Sequence, residues 1–361
     1  MDYFRQGSAS LAYGSHRIFL VGSILVSSGI LLAAGGGSWD ITNHLLNKPE
    51  TFFAPPHLIL YSGVGTSVVG AVMLLTSSRS IGRIAWPAKL ALAGVALLVS
   101  AGPVDFAWHS AFGLDGLFSP PHFVLVSGMV ATSLGGLTSM MYYRSMSLRG
   151  ADRMRLHPAL IVVAILPLWL ALSGVVDMFT LPFSKTIYFN FDPNPAAAVA
   201  IASTAFPFVI AACLCGASAL SGRRFGVMSL TGAAFVATGA LTSILPSDSL
   251  HNTIPFYLLG MIPIVAADAI MSYRFWRPFG IPVYAAGAIL GVTFFMLYYP
   301  LITHTYNEFI DINRLVWPSV TAEIYFEMMQ TVYPLLIAPS AAVGAVGAIV
   351  ANKLGSERKI L

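Results

Sequence analysis

Ten apolar runs, each on the order of 20 residues and so able to cross a bilayer as a helix, divide this chain. They fall at 18–39, 56–78, 88–109, 121–143, 158–181, 195–220, 225–246, 254–273, 280–301 and 322–351. Nineteen Lys and Arg residues punctuate them. Sixteen lie on one side of a ten-helix arrangement: Arg5, Arg17, Arg79, Arg83, Lys89, Arg144, Arg149, Arg153, Arg155, Arg223, Arg224, Arg274, Arg277, Lys353, Arg358 and Lys359. The other side holds Lys48, Lys185 and Arg314. Loops rich in Lys and Arg stay in the cytoplasm, so the bias predicts a multi-pass cell-membrane protein with both termini cytoplasmic. One missed or invented helix would scramble that asymmetry.

Charged residues make up only 9% of the chain, where soluble domains carry about 25%, and this excludes a soluble enzyme on an anchor. The expected fold is an all-α polytopic membrane protein of about ten transmembrane helices arranged as repeated hairpins. The first run exceeds a signal-peptide core and is expected to stay as a first helix. The net charge of +4 belongs to loops that meet anionic lipid headgroups, so the lipid bilayer is the expected partner and nucleic acid is not. Cys213 and Cys215 share one apolar run and read as packing residues.

Within this frame, two stretches 65 residues apart carry one polar skeleton. The first is Asp40, His44, Glu50, Phe53, Pro55, Pro56, His57, Ser62, Gly63; the second is Asp105, His109, Asp115, Phe118, Pro120, Pro121, His122, Ser127, Gly128. The hairpins begin near residues 17, 86, 157, 225 and 280. All enter from the same side, which predicts a parallel repeat about the membrane normal. The third is a degenerate copy: Asp177 keeps the place of Asp105, but Leu181 and Asn194 stand where the histidines would be. Residues 1–145 therefore read as two tandem metal-motif hairpins, and 146–361 as further hairpins of the same membrane domain.

Asp40 and His44, four apart, share a helix face. Pro55 and Pro56 open the next helix and set His57 in its first turn, folded back towards the pair. Asp105, His109 and His122 repeat the arrangement. The charge bias places both sets on the extracytoplasmic side. Ionisable groups near membrane depth are costly and point to function, and two imidazoles with a carboxylate suit copper, zinc or non-haem iron. The competing reading is an Asp–His pair that needs no metal, at a Pro-Pro helix start.

Asp105-Phe-Ala-Trp-His109, followed by Asp115, Phe118-x-Pro120-Pro121-His122, resembles the metal-binding signature of the C subunit of copper membrane monooxygenases. That family includes particulate methane and ammonia monooxygenases. The likeness spans roughly residues 30–130. It implies copper on Asp105, His109 and His122, with Asp40, His44 and His57 as a companion set. It further implies oxidation of a small apolar molecule or ammonia by dioxygen, partner membrane subunits and a homo-oligomer. In this chain both sets begin with Asp, and Asn43 replaces the Trp of the signature.

Weaker candidates surround these. Glu50 and Asp115 are placed to orient a ligand His or to cap a helix, and Asp177 reads as a hydrogen-bonding remnant. His304, Glu308, Glu323 and Glu327 form two further i,i+4 pairs, as a relay, an extra metal site or a solvated loop. Asp268 lies towards the opposite side and fits a proton path or a pair with Ser272 or Tyr273. Trp39, Trp108, Tyr298, Tyr299 and Trp317 read as an interface belt. Two other functions compete with a monooxygenase subunit. One is a copper or zinc assembly factor or transporter; the other is haem ligation by His44 with His109 or His57 with His122.

Overall fold

Proline fixes where most of the helices begin. It locks the backbone near helical values, and its missing N–H costs nothing in a first turn. Among the described residues, eight of eleven α-helices carry Pro as their first or second residue. They are α2 (Pro55–Ser80), α3 (Trp86–Phe112), α4 (Pro120–Ser147), α5 (Pro158–Thr180), α6 (Pro195–Leu220), α8 (Ile254–Leu259), α10 (Ile281–Ile289) and α11 (Tyr333–Ser356). The others are α1 (Asp2–Leu45), α7 (Val227–Ile244) and α9 (Met261–Ser272). The computed structural model describes residues 2–45, 51–80, 86–113, 117–147, 157–180, 195–246, 251, 254–273, 280–294, 296–299 and 333–356. Among these residues there is no strand.

Among the described residues, nine helices are long and apolar enough to cross a membrane, and the apolar segment Tyr257–Ser272 is shorter. The chain is thus an all-α, multi-pass membrane protein. The eighth apolar run is split at Gly260 into α8 and α9. Pro263 explains the break, because its ring clashes with the carbonyl four residues back, at Leu259, and it has no N–H to offer. The ninth run passes from α10 into a π-helical turn, Leu290–Phe294. The start of the tenth falls outside the described residues.

The repeat reaches beyond the polar skeleton into helix packing. At Gly29 an added methyl group would overlap Gly63 O and Ser67 Oγ; at Gly94 it would overlap Gly128 O and Thr132 Oγ1. Both contacts, and a third to the backbone N of Ser67 or Thr132, recur 65 positions later, so small residues bring both hairpins to backbone contact in the same way. In each hairpin the two helices pack against each other, and α1 also packs on α4 as α2 does on α3. A pseudo-two-fold exchanging the hairpins interchanges those last two contacts. Helix α5 breaks the symmetry by lying against both α1 and α4, where Ala171 joins Ile30, Ala33, Leu98 and Met129.

The largest core cluster sits in the C-terminal part, where Trp169 stacks on Phe235 at 3.8 Å. Cys213 and Cys215 are buried, unpaired thiols, in keeping with packing. Tyr299 does not belong to an interface belt. It is fully buried and its hydroxyl donates to Thr180 O at 3.2 Å.

Asp268 is likewise fully buried. Its Oδ2 accepts the N–H groups of Gly226 and Ser229, both at 2.9 Å, and the Ser229 hydroxyl at 2.8 Å. These amides open α7, so the carboxylate caps that helix from a distant part of the chain, meeting orphan N–H groups and the positive end of the helix dipole. Ser272 adds a hydroxyl at 3.4 Å to Oδ1.

Candidate metal centre

The Pro-Pro-His element works as a device for placing an imidazole. In the second copy Ser119 precedes α4, and Pro120 and Pro121 have no amide hydrogen. The first amide available is that of His122, which donates to Ser119 Oγ at 3.4 Å. That is the contact an N-cap serine makes, and it fixes the His122 backbone at the helix mouth. In the first copy the turn before α2 closes through Ala54 N to Thr51 O at 2.9 Å, and the same carbonyl receives His57 Nδ1 at 2.9 Å. At the end of α3, His109 Nδ1 meets Gly113 O at 3.2 Å.

A carbonyl only accepts, so Nδ1 carries the hydrogen in both His57 and His109, and Nε2 of the neutral ring presents a lone pair. Metal-ligating histidines are commonly held this way, by a carbonyl on the far nitrogen. The lone pairs face carboxylate oxygen. His57 Nε2 lies 3.0 Å from Asp40 Oδ1. His109 Nε2 and His122 Nε2 lie 3.5 Å and 3.2 Å from the same Asp105 Oδ1. Each such contact is attractive only with a positive charge between its atoms, supplied by a proton or by a metal ion. Around Asp105 a single cation would satisfy all three groups.

The spacing fits. The ligand atoms of Asp105, His109 and His122 all lie within 4.8 Å of one another, and the two imidazole rings stand 5.6 Å apart at 53°. Ligands held tetrahedrally at about 2.0–2.1 Å would be separated by about 3.3 Å. The Asp105 distances bracket that value.

Both sets open on one cavity of about 380 Å³. Seven pairs of its lining residues are related by the 65-residue repeat: Gly37/Gly102, Asp40/Asp105, Ile41/Phe106, Phe52/Leu117, His57/His122, Leu60/Leu125 and Tyr61/Val126. The cavity therefore lies on the pseudo-two-fold, between the hairpins. Gly174 and Met178 of α5 reach it from one side. Phe52 bridges the hairpins, with its ring 5.1 Å from Tyr61 and 5.6 Å from Phe106.

Five of the six expected ligands, Asp40, His57, Asp105, His109 and His122, line this cavity. His44 follows Asp40 by one turn in α1, and its side chain lies outside the described part. Glu50, Asp115, His304, Glu308, Glu323 and Glu327 are also outside the described residues. Asp177 does not line this cavity but an adjoining one, and its buried Oδ1 has no hydrogen-bond partner among the described residues. Phe52, Tyr61 and Phe106 escaped a reading centred on polar positions. Their signal was available in the repeat register, since each stands 65 residues from another lining position. No family model matches this chain, and no curated protein or solved structure matches it either.

Proposed function

We propose that this protein is a metal-binding membrane subunit of a monooxygenase-type complex, with Asp105, His109 and His122 as ligands and Asp40, His44 and His57 as a companion set. The observation that carries the proposal is the convergence of two Asp–His sets on one mainly apolar cavity. At about 380 Å³ it is near the lower end of ligand pockets, about 300–1,000 Å³, which suits a small apolar molecule or ammonia. Copper is the metal favoured by the likeness to the copper monooxygenase signature; zinc and non-haem iron suit the same donors. When bound, copper supplies the activation of dioxygen.

The chain's own part is positional. Thr51 O and Gly113 O hold two imidazoles with Nε2 turned inward, and Asp105 supplies negative charge to two histidines at once. The ring of Phe52, Tyr61 and Phe106 limits water and sets the size of what can enter. Partner membrane subunits and self-association follow from the same likeness, and the charge bias puts the motif end outside the cytoplasm. A metal carrier without catalysis could use the same ligands but has no need of an aromatic-walled chamber beside them.

The test is metal content. Protein purified in detergent under copper-replete conditions is measured by mass spectrometry beside a His57→Ala/His122→Ala double variant. Near-stoichiometric copper, lost in the variant, is the expected result and leads on to oxygen-dependent hydroxylation assays with partner subunits. Zinc or iron lost in the variant keeps the ligands and removes copper. No metal in aerobic, anaerobic and reconstituted samples overturns the proposal.

A further inference from the structure

Behind the metal cavity lies a second one of about 190 Å³, and the two share Gly37, Ile41, Leu117, Leu125, Val126 and Gly174 as a common wall. Its polar lining is unusual for what it lacks. No Lys or Arg is among the lining residues, yet one carboxylate, Asp177, is. Asp177 Oδ1 and Ser173 Oγ, one helical turn apart on α5, are both sealed from solvent and have no hydrogen-bond partner among the described residues.

The hydroxyls around them are already committed as donors. Ser38 donates to Thr242 Oγ1 at 3.0 Å, and Thr242 donates to Thr238 O at 3.0 Å. Ser243 donates to Gly239 O at 2.9 Å, which leaves the Tyr257 hydroxyl to donate to Ser243 Oγ at 3.0 Å. A hydroxyl has one hydrogen and two lone pairs. With the hydrogens spent on the helices and on one another, Thr242 and Ser243 keep lone pairs to offer the cavity. The same cavity is lined by the Asp177 carboxylate, whose burial without a counter-charge is costly.

A largely buried set of oxygen acceptors with a single negative charge calls for a single positive charge. We infer that this cavity binds a small monovalent cation, an alkali ion or ammonium, with Asp177 as its charge partner and Ser173, Thr242 and Ser243 as neutral oxygen ligands. Oxygen donors without nitrogen or sulfur suit hard cations, and the volume leaves room for water to complete the shell. This site is independent of the metal proposal. None of its four proposed ligands lines the metal cavity, and it stands or falls separately.

The protein reports on the site directly, because Trp169 stacks on Phe235, which lines this cavity. Thermal unfolding is followed by tryptophan fluorescence in detergent at constant ionic strength, with choline replaced stepwise by sodium, potassium or ammonium. The expected result is a saturable stabilisation by at least one small cation. In Asp177→Asn the midpoint should move to higher concentration by about tenfold or more, as befits loss of a buried charge partner. Which of the three salts acts identifies the cation.

Equal behaviour in all four salts overturns the inference, as does a response kept in Asp177→Asn. Should Asp177→Asn fail to fold, a Ser173→Ala/Ser243→Ala variant must weaken the response. Infrared spectra of the unaltered protein must then show a carboxylate in the active salt; a protonated acid unchanged by any cation overturns the inference. His122→Ala should keep the cation response and Asp177→Asn should keep its bound metal, so failure of either site is read apart from the other.

Discussion

At Asp268 a buried acid earns its place by closing a helix. Three donors converge on its Oδ2, two of them backbone N–H groups at the start of α7. Hydrogen bonds to a charged group contribute about 1.5–3 kcal/mol each, and leaving buried donors unmet is worse than never having them. Asp268→Ala is therefore expected to lower stability by on the order of 3 kcal/mol or more, read as an earlier thermal midpoint in detergent. Asp268→Asn, which keeps one carbonyl acceptor, should lose clearly less. From sequence this acid was ambiguous, since its partners lie 39 and 42 residues away and no local pattern announces such a cap. The metal candidates were legible for the opposite reason: their spacing is local and it occurs twice. Asp105 differs from Asp40 in facing two described histidines through one oxygen. Asp105→Asn should weaken metal binding by at least about tenfold, the scale seen even for groups that only orient a ligand, with little change in fold because the amide keeps the volume. Metal titration of the stripped protein measures it.

At the scale of elements, helix starts were readable because proline marks them, whereas the interior of the helices was only half readable. A run of three glycines such as Gly35-Gly36-Gly37 suits close helix packing, yet only its middle residue meets a neighbouring backbone closely. A methyl group on Gly36 would press on Leu60 N and Pro56 O, one on Gly35 would meet nothing within 4 Å, and one on Gly37 would meet only Leu60 Cδ1 at 3.8 Å. Composition cannot tell which glycine of three faces a neighbour; helical phase does. The contrast gives a matched pair. Gly29→Ala drives a methyl into the α2 backbone and should destabilise by about 1–3 kcal/mol, the usual cost of overpacking. Gly35→Ala should be neutral or stabilising by up to about 1 kcal/mol, since alanine is the better helix former. Equal midpoints for the two variants would mean that the α1–α2 crossing is looser than the Gly29 contacts require. The break at Gly260 belongs to the same lesson: an apolar run gives the length of a span, and a proline inside it, Pro263, decides whether the run stays one helix.

For the whole molecule, the decisive quantity is which end of the bundle faces out, because a metal site open to the outside and one open to the cytoplasm draw on different metal pools. The alternation of hairpins puts the α1–α2 and α3–α4 turns at one end and the α6–α7 turn, with Arg223 and Arg224, at the other. Fourteen further basic residues join these two in an asymmetry that predicts the second end to be cytoplasmic, with only Lys48, Lys185 and Arg314 set against them. Two exposed phenylalanines make the test possible. Phe53, 69% exposed, sits in the first motif turn, and Phe225, 62% exposed, follows the arginine pair. The native thiols of Cys213 and Cys215 are buried, so background labelling should be low. In intact cells a membrane-impermeant maleimide should modify Phe53→Cys, while Phe225→Cys should react only after the membrane is opened. The reverse pattern would turn the motif end to the cytoplasm, where the charge rule would have failed, and a site loaded with copper from outside would no longer be tenable.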